Sequence, residues 1–340
     1  MKKVLRYETG DNVLIALEEL SKGDSLLING EVSDITAKAD IPVGHKLAAS
    51  PIPKGGPVVK FSHVIGKAGE DIESGAYVHV HNVIDPVGSW GEAKHSYDPA
   101  TVKEIDQRLF LKEPPKLYGY RRPNGLVGFR NHLLVVSTVV CANWPVEELG
   151  KKYREIITLP NPTGCVILPN EVERLKAVLL GLARNPNVGA VIFCGLGCEA
   201  VDAQWYYDQI KGEKPAAFVR AQSEGSCEKA LEKMEQIALE MQAKLAAQQK
   251  EEVHISDIRL GTKCGGSDWT TAAVSNPAIG FVSDVVVKNG GLSLQGETTG
   301  WFGGEDFFLR HARNKQVADQ IIALMDETYQ RALHVGISSR

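Results

Sequence analysis

The segment LGTKCGGSDWTTAAVSNPAIG, residues 260–280, combines a glycine-rich turn with ionisable side chains. Cys264 can act there as a nucleophile, a metal ligand or a packed apolar residue. Together with SDVVVKNGGLSLQGETTGWFGGED, the segment collects these polar residues: Lys263, Ser267, Asp268, Asn276, Asp284, Glu297 and Glu305. Removing a proton next to a carboxylate needs a base, and a metal or cations to stabilise the enediolate. We therefore interpret the two segments either as part of an active site or as acidic surface loops.

A second candidate is AYVHVHNV, which contains His79 and His81. Residues two apart in a strand point to the same face, so both imidazoles could converge on one ligand. The alternative is a solvated edge strand, because two histidines alone are a weak metal signal. His45, Lys46 and Lys60 add cationic groups, a composition that suits an oxyanion or a sugar acid.

Two further motifs flank the buried strands of the second half. GYRRPNGLVGFRN contains Arg130 and Asn131, and arginine forks bind carboxylates. The alternative is a loop held by ordinary salt bridges. In CGLGCE, we expect Cys198 and Glu199 to open a helix, where the dipole favours a thiolate or carboxylate, whereas Cys194 belongs to the core.

Composition limits the possible functions. A chain of 340 residues favours two domains, and 43% hydrophobic with 24% charged residues is ordinary for a globular protein. The net charge of −4 indicates neither nucleic acid nor an anionic membrane as a partner. No secretion signal is evident, so we expect a cytoplasmic protein with its six cysteines reduced. Neither nucleotide-binding glycine fingerprint is present, so no nucleotide cofactor is expected.

The pattern of elements changes along the chain. Short apolar segments with Gly and Pro punctuation predict an N-terminal β-barrel or β-clip, with one helix at NVLIALEEL and Asp11 as its N-cap. Later, buried-strand runs alternate with helical stretches, which predicts a parallel α/β domain, Rossmann-like and three-layered. We place the small domain at residues 1–97, a linker at 98–117 and the α/β domain at 118–340.

The motifs, taken together, resemble the altronate/galactarate dehydratase family (UxaA type). IPVGHKLA and VVKFSHVIGKAGEDIESGAYVHVHN look like the family's N-terminal SAF domain, a β-clip fold. GYRRPNGLVGFRN, GLGCE, AQSEG and KCGGSD with NPAIG look like its catalytic domain. Several motifs occur in the family's order, so the resemblance covers nearly the whole chain.

The resemblance implies a hydro-lyase of hexuronate catabolism that dehydrates a hexonate or hexarate, such as D-altronate or D-galactarate, to a 2-keto-3-deoxy sugar acid. It also implies a divalent metal, Fe²⁺ or Mn²⁺, and no iron–sulfur cluster. We expect catalytic roles for Glu297, Lys263, His79 and His81, with Glu297, His79 and His81 as metal ligands. We expect substrate binding by Arg130, Asn131, Ser267, Asp268 and Asn276. Cys264 then becomes a packed or site-lining thiol, because dehydration has no covalent step.

The chain also departs from the family pattern. It has no Thr-Gly-Arg-Gly motif, and Gly300 stands where the family tends to have a glutamate. We therefore expect the family's C-terminal region to be absent, and we consider a homo-oligomer or a separate C-terminal subunit as partners. Two other functions stay open: a lyase on a small acid such as sulfolactate, or a catalytically incomplete homologue that binds sugar acids.

Overall fold

A computed structural model describes residues 1–84, 97–266, 268–302 and 304–336. The chain forms two compact units, one of Met1–Leu111 with Arg259–Arg340 and the other of Lys112–Ile258. This grouping differs from the predicted division into residues 1–97, 98–117 and 118–340, because the C-terminal residues pack with the N-terminal ones. Below, residues 1–84 are the N-terminal β region, residues 259–336 are the C-terminal segment, and Lys112–Ile258 is the middle unit.

The N-terminal β region consists of short strands. They are β1 (Lys2–Leu5), β2 (Val13–Ala16), β3 (Ser25–Ile28), β4 (Glu31–Thr36), β5 (Lys46–Ala48), β6 (Pro57–Lys60), β7 (His63–Ala68), β8 (Tyr77–Val78) and β9 (Val83–Ile84). One sheet has the order β4-β3-β1-β2-β5-β8 and the other β6-β7-β9. All neighbours are antiparallel except β1 and β3.

The helix predicted at NVLIALEEL is wrong, because this segment forms strand β2. Every residue of β2 is buried, with Val13 in one apolar cluster and Leu14 in another. The strand pairs with both β1 and β5, and burial on both faces overrides the helical propensity of Leu and Ala. Asp11 caps no helix there. Its carboxylate accepts a hydrogen bond from the Ser62 amide at 2.8 Å.

The middle unit alternates strands and helices. They are β10 (Leu117–Arg121), β11 (Val127–Gly128), β12 (His132–Ser137), α1 (Asn143–Lys152), β13 (Ile157–Leu159), α2 (Pro169–Arg184), β14 (Val188–Gly195), α3 (Ala203–Ile210), β15 (Ala216–Arg220), α4 (Ala221–Glu224), α5 (Cys227–Ala246) and β16 (Glu251–Val253). A parallel sheet has the order β13-β12-β14-β15, and an antiparallel sheet has the order β11-β10-β16.

Side chains of the parallel sheet alternate between two apolar clusters. Val135 and Ile192 pack in one cluster with residues of α1 and α5. Val136 and Phe193 pack in the other with residues of α2 and α3, including Tyr206. Because adjacent strand residues face opposite sides, both faces of the sheet are covered and the strands are apolar at every position.

The C-terminal segment contains β17 (Arg259–Thr262), a π-helical turn (Thr271–Ser275), α6 (Asn276–Lys288), β18 (Leu292–Gln295), α7 (Glu305–His311) and α8 (Lys315–His334). Strands β17 and β18 are parallel, with Thr262 opposite Gln295. The chain is therefore mixed α/β with several sheets. Across the residues that the structure describes, no helix is both long and apolar enough to span a membrane.

Candidate active site

Three histidines of the N-terminal β region gather around Tyr77. The Tyr77 hydroxyl lies 2.5 Å from His45 Nδ1. The rings of His45 and His79 stack with their centroids 5.0 Å apart. The Tyr77 ring centroid is 5.4 Å from that of His79 and 5.5 Å from that of His81. We call these four residues the imidazole cluster.

The two predicted histidines come together through a turn, not through strand alternation. Strand β8 ends at Val78, and the amides of Asn82 and Val83 both donate to the His79 carbonyl at 3.0 Å. The buried Asn82 side chain accepts from the His79 amide and donates to the Tyr77 carbonyl. The strand geometry predicted for AYVHVHNV is therefore wrong at His79 and His81, because the Asn82 amide closes a tight turn.

The electrostatic surroundings favour a neutral imidazole at His79. Burial lowers the pKa of His79 below its ordinary value, and electrostatic interaction with His45, Lys46 and His81 lowers it further. A histidine with a lowered pKa is mostly unprotonated at pH 7, so His79 can accept a proton.

Two lysines of the N-terminal β region are partly buried, Lys46 at the start of β5 and Lys60 at the end of β6. Burial lowers the pKa of both amines. That of Lys60 falls to about 8, with repulsion from Lys46 adding to the effect and attraction to Asp11 opposing it. The Lys60 amine lies 4.6 Å from the Phe61 ring centroid and 5.9 Å from that of Tyr7, which favours a cation.

The hairpin turn that carries Lys60 is strained. Phe61 and Ser62 have φ angles of 55° and 59°, in the left-handed region that side chains other than glycine seldom adopt. Such strain persists only where surrounding contacts hold it, and it concentrates at functional sites. The buried carboxylate of Asp11, bonded to the Ser62 amide, supplies one of those contacts.

The predicted catalytic loop of the C-terminal segment packs against this region. The Tyr7 hydroxyl donates to the carbonyl of Ala273, within the π-helical turn. Trp269 occupies the space that a Cβ at Gly44 would need. Single-turn π-helices are frequent at functional sites. The fold therefore brings residues 268–276 next to the strands that carry His45, Lys46 and Lys60.

Several predicted residues of that loop lie at or near the ends of β17 and β18. Lys263 forms an ion pair with Glu297 at 3.0 Å and donates to the Cys264 carbonyl at 3.1 Å. Asp268 accepts from the Thr270 hydroxyl and the Thr271 amide, so it caps the helical turn. Cys264 and Asn276 are exposed, so Cys264 is not a packed thiol. Ser267 lies outside the described residues.

The predicted carboxylate binders Arg130 and Asn131 belong to the middle unit. Arg130 is exposed. The amide of Asn131 accepts from Arg122 at 2.9 Å and donates to the Leu245 carbonyl and to Gln248. These contacts favour the alternative in which the loop is held by local bonds, because they use the amide's oxygen and nitrogen within the unit.

The helix predicted to open at Cys198 and Glu199 begins instead at Ala203, with Asp202 as its N-cap. Glu199 accepts from the Thr138 hydroxyl at 2.9 Å and from the Gly197 amide at 2.6 Å. The prediction of a helix start at Cys198 is wrong because Glu199 folds back onto the end of the parallel sheet. Cys194 is buried, as expected.

The described residues offer no group of ligands for the expected divalent metal. Among residues 1–84, 97–266, 268–302 and 304–336, no three His, Cys, Asp or Glu side chains are grouped so that they could hold a metal ion. Glu297 pairs with Lys263, whereas His79 and His81 adjoin Tyr77. These side chains do not fit a metal site as they stand.

The sequence reasoning missed the aromatic residues of this region. Tyr77 lies two residues before His79 and could have been found by the same strand spacing. Tyr7 and Trp269 carried no local signal, because their role depends on contacts between distant parts of the chain.

Family profiles match three parts of the chain. The altronate/galactarate dehydratase SAF domain matches residues 2–86. The D-galactarate dehydratase/altronate hydrolase second domain matches residues 119–246, and the D-galactarate/altronate dehydratase C-terminal profile matches residues 255–339.

Individual proteins agree with these profiles. An altronate dehydratase of Bacillus subtilis is 32% identical over 97% of this chain and 67% of its own length. An altronate dehydratase of Escherichia coli is 27% identical over 94% of this chain and 65% of its own length. A (2R)-sulfolactate sulfo-lyase subunit beta of Chromohalobacter salexigens is 28% identical over 66% of this chain and 55% of its own length. The chain thus spans about two thirds of the two dehydratases.

Proposed function

The chain belongs to the altronate/galactarate dehydratase family, and on this premise we propose that it is a sugar-acid hydro-lyase. Its substrate is a hexonate or hexarate such as D-altronate or D-galactarate, and its product is a 2-keto-3-deoxy sugar acid. The observation that carries the proposal is the 32% identity to an altronate dehydratase across 97% of the chain. The imidazole cluster beside residues 268–276 supports it, because this chemistry needs a neutral base close to cations.

In the proposed reaction, neutral His79 takes the proton from C2, next to the substrate carboxylate. The electrons of the C2–H bond form the C2–C3 double bond, and the hydroxyl on C3 leaves as water after gaining a proton. The Lys263–Glu297 pair is the proposed proton donor, with His81 as a second candidate. The resulting enol then converts to the 2-keto acid.

We also propose roles in substrate binding for five further residues. Ser267, Asp268 and Asn276 bind substrate hydroxyls, and Arg130 binds a carboxylate. Asn131 would then orient the Arg130 loop through its local bonds. For the middle unit we propose a Rossmann-like three-layer architecture, supported by the two apolar clusters that alternate strand residues feed. We further propose a cytoplasmic enzyme with either a homo-oligomeric assembly or a separate C-terminal subunit.

Dependence on Fe²⁺ or Mn²⁺ is proposed from the family alone. It is tested by dialysis against a chelator, followed by addition of each ion and measurement of both keto-acid release and metal content. Activity that survives complete removal of metal would refute the proposal. Activity restored by Fe²⁺ or Mn²⁺ but not by Mg²⁺ would support it.

The function itself is tested by incubating the purified chain with D-altronate, D-galactarate and sulfolactate. Release of a 2-keto-3-deoxy acid from either hexose-derived acid, lost in Glu297→Gln but kept in Glu232→Gln, supports the proposal. Glu232 is a matched control because it is an exposed glutamate of α5. Absence of keto acid under all metal conditions would refute it.

A second candidate function is a lyase that releases sulfite from a small acid. The alignment with a sulfolactate sulfo-lyase beta subunit favours it, although that alignment covers 66% of the chain. Sulfite release from sulfolactate in the same assay would replace the dehydratase proposal. Stabilisation by a sugar acid without turnover would indicate a binding protein instead.

A further inference from the structure

A cavity of about 610 Å³ opens in the middle unit, at the amino-terminal ends of β14 and β15. This volume is that of a site for a small organic molecule. Arg130, the proposed substrate ligand, is not among the residues that line it. Four cations and two carboxylates are, which leaves an excess of two positive charges. These charged residues are Arg121, Arg122, Arg184, Lys214, Glu213 and Glu251.

The two carboxylates of the lining are bound by two of the arginines. Arg121 Nε donates to Glu251 at 2.5 Å, and the Arg184 guanidinium bonds to Glu213 at 2.7 to 3.1 Å. These four charges compensate each other in pairs. The excess positive charge therefore comes from the two other cations of the lining.

Those two cations, Arg122 and Lys214, are held side by side by one turn of the backbone. Arg122 Nε donates to the carbonyl of Pro186 at 2.8 Å, and Lys214 Nζ donates to the carbonyls of Asn185 and Val188 at 3.1 and 2.7 Å. Both side chains are partly buried. In the part of the chain that the structure describes, neither forms an ion pair. The shared turn thus places two cations without a carboxylate partner on the wall of one cavity.

Both cations keep hydrogen-bond donors that the protein does not use. A guanidinium has five N–H groups, and Arg122 uses three of them, for two backbone carbonyls and the Asn131 amide oxygen. An ammonium has three, and Lys214 uses two. Burial lowers the pKa of Lys214 to about 8, with repulsion from Arg122 adding to the effect and attraction to Glu213 opposing it. An anion at this place would bind the remaining donors and relieve the repulsion.

The wall of the cavity fixes the position of Arg122. A Cβ at Gly189 would lie 2.1 Å from Asn131 Oδ1, so the glycine lets this amide lie against the start of β14. The same amide accepts from Arg122 at 2.9 Å and donates to Gln248 at 3.0 Å, and Gly189 and Gln248 both line the cavity. The guanidinium is therefore preorganised, which lowers the entropic cost of binding a ligand.

We propose that this cavity binds a small organic dianion, a phosphate monoester or a dicarboxylate, with Arg122 and Lys214 as the ligands of its anionic groups. Guanidinium groups bind both kinds of anion through paired N–H donors, and an ammonium binds them as a point charge. The two excess positive charges match the two negative charges of the ligand. Active sites of parallel α/β sheets lie at the carboxyl ends of the strands, and this cavity lies at the opposite ends. The site is therefore separate from the proposed dehydratase chemistry.

The test measures equilibrium binding to the whole chain by calorimetry. The probes are D-glucose 6-phosphate and adipate, with D-glucose and 1,6-hexanediol as their uncharged counterparts. Adipate has no hydroxyl to lose, so it cannot be dehydrated. We expect one molecule of at least one dianion to bind per chain, and neither uncharged counterpart to bind. Binding of the phosphate ester alone or of adipate alone supports the proposal and identifies the kind of anion.

Arg122→Met and Lys214→Met are compared with Arg174→Met and Lys229→Met, which change exposed cations of α2 and α5 outside this cavity. We expect each site variant to bind the dianion about tenfold or more weakly, because a hydrogen bond between charged groups is lost. We expect the two controls to stay within about twofold of the wild type. Lys214→Arg keeps the charge and should keep part of the affinity. Wild-type affinity in folded site variants, identified by melting curves, would overturn the proposal, as would an equal loss in the controls.

A measurement on the wild-type chain does not depend on how the variants fold. Phenylglyoxal labels arginine side chains, and peptide mass spectrometry reads the extent of labelling at each one. The dianion that binds should protect Arg122 and leave Arg174 unprotected. Labelling of Arg122 that a saturating dianion does not change would overturn the proposal, as would a wild-type chain that binds neither dianion. Neither probe is a sugar acid, so these results do not depend on whether the chain releases keto acid.

Discussion

Two groups of cations, one in the middle unit and one in the N-terminal β region, have different surroundings. In the middle unit, Arg220 bonds to Asp202 at 2.6 and 2.8 Å, and Arg184 bonds to Glu213 at 2.7 to 3.1 Å. In the N-terminal β region, burial lowers the pKa of Lys46, Lys60 and His79, and interaction with Lys46 lowers the pKa of the latter two further. Cations in ion pairs stabilise a fold, whereas partly buried cations without an ion pair can bind an anionic ligand.

The comparison implies that the paired cations contribute mainly to stability and that the residues around the imidazole cluster contribute mainly to catalysis. Substitutions among the paired cations should change the free energy of unfolding with little effect on turnover. Substitutions around the imidazole cluster should change turnover with little effect on unfolding. The next four experiments test this division, in order of decreasing expected effect.

The largest effect is expected from His79→Gln. Removing the proposed base should lower kcat by about a hundred- to ten-thousandfold, the usual contribution of a positioned acid or base. Turnover of the wild type should fall at acidic pH, where the imidazole is protonated, and this limb should be absent in the variant. The matched control is Val80→Ala, because Val80 is 83% exposed and adjacent in sequence. Equal losses in both variants would break the assignment.

Gly44→Ala tests whether Trp269 packs on the N-terminal β region in solution. Gly44 has a φ of 80° and Gly30 a φ of 91°, so alanine strains the backbone of both positions similarly, by about 1 kcal/mol. A Cβ at Gly44 also meets Trp269, whereas one at Gly30 meets nothing within 4 Å. We expect Gly44→Ala to cost about 1–3 kcal/mol more than Gly30→Ala in urea unfolding, with a larger fall in turnover. Equal costs would contradict the packing.

Arg220→Met tests the structural role of the paired cations. Both partners are about one third exposed, so we expect a loss of about 1 kcal/mol in the free energy of unfolding, with turnover unchanged. Burial raises the pKa of Asp202, but hydrogen bonds to Arg220 and the Gln204 amide lower it further, so that it lies below its ordinary value.

The expected pH dependence of that loss in stability follows from the direction of the Asp202 pKa shift. A carboxyl with a lowered pKa contributes stability above its unfolded value, about 3.9, and loses it as the pH falls through the folded value. The difference between wild type and Arg220→Met should therefore be full at pH 7 and shrink below about pH 4. Arg174→Met, in an exposed arginine of α2, is the control. A difference that persists unchanged at acidic pH would contradict the ion pair.

The smallest effect is expected for the stability of Lys60→Met. Because burial lowers the pKa of Lys60 to about 8, its charge opposes folding below that pH, and the penalty disappears as the pH rises to the unfolded value of about 10.4. Lys60→Met should therefore be more stable than the wild type at pH 7, by less than about 1 kcal/mol after solvent screening. The advantage should decline between about pH 8 and 10.4, and unfolding curves at both ends measure it. A destabilised variant at pH 7 would indicate a structural lysine.

Much of the middle unit could be predicted from its sequence. The runs HLLVVS, VGAVIFCG and AAFVR form β12, β14 and β15, and three predicted helices form α2, α3 and α5. These elements are recognisable because buried parallel strands are apolar at every position and helices repeat with a period of 3.6 residues. The family was recognisable for the same local reason, since its motifs are short and continuous.

Other features depended on residues far apart in the chain. Strand β2 lies in NVLIALEEL, a segment with the amphipathic pattern of a helix, and its pairing with β1 and β5 decides its conformation. The turn at His79 is set by the Asn82 side chain, which competes with the strand for backbone hydrogen bonds. Local propensity therefore predicted the wrong backbone conformation at β2 and at His79, where contacts with other residues supply the backbone hydrogen bonds.

By itself, the sequence determined the family, the alternation of strands and helices in the middle unit, and the residue types available for acid–base chemistry. Only the tertiary structure decided which of them meet. Tyr7 and Ala273 are bonded across 266 positions of sequence, and Trp269 lies on Gly44. Those contacts place the predicted loop beside Lys46 and Lys60. No local pattern encodes this meeting, because it results from the joint burial of surfaces that are remote in the chain.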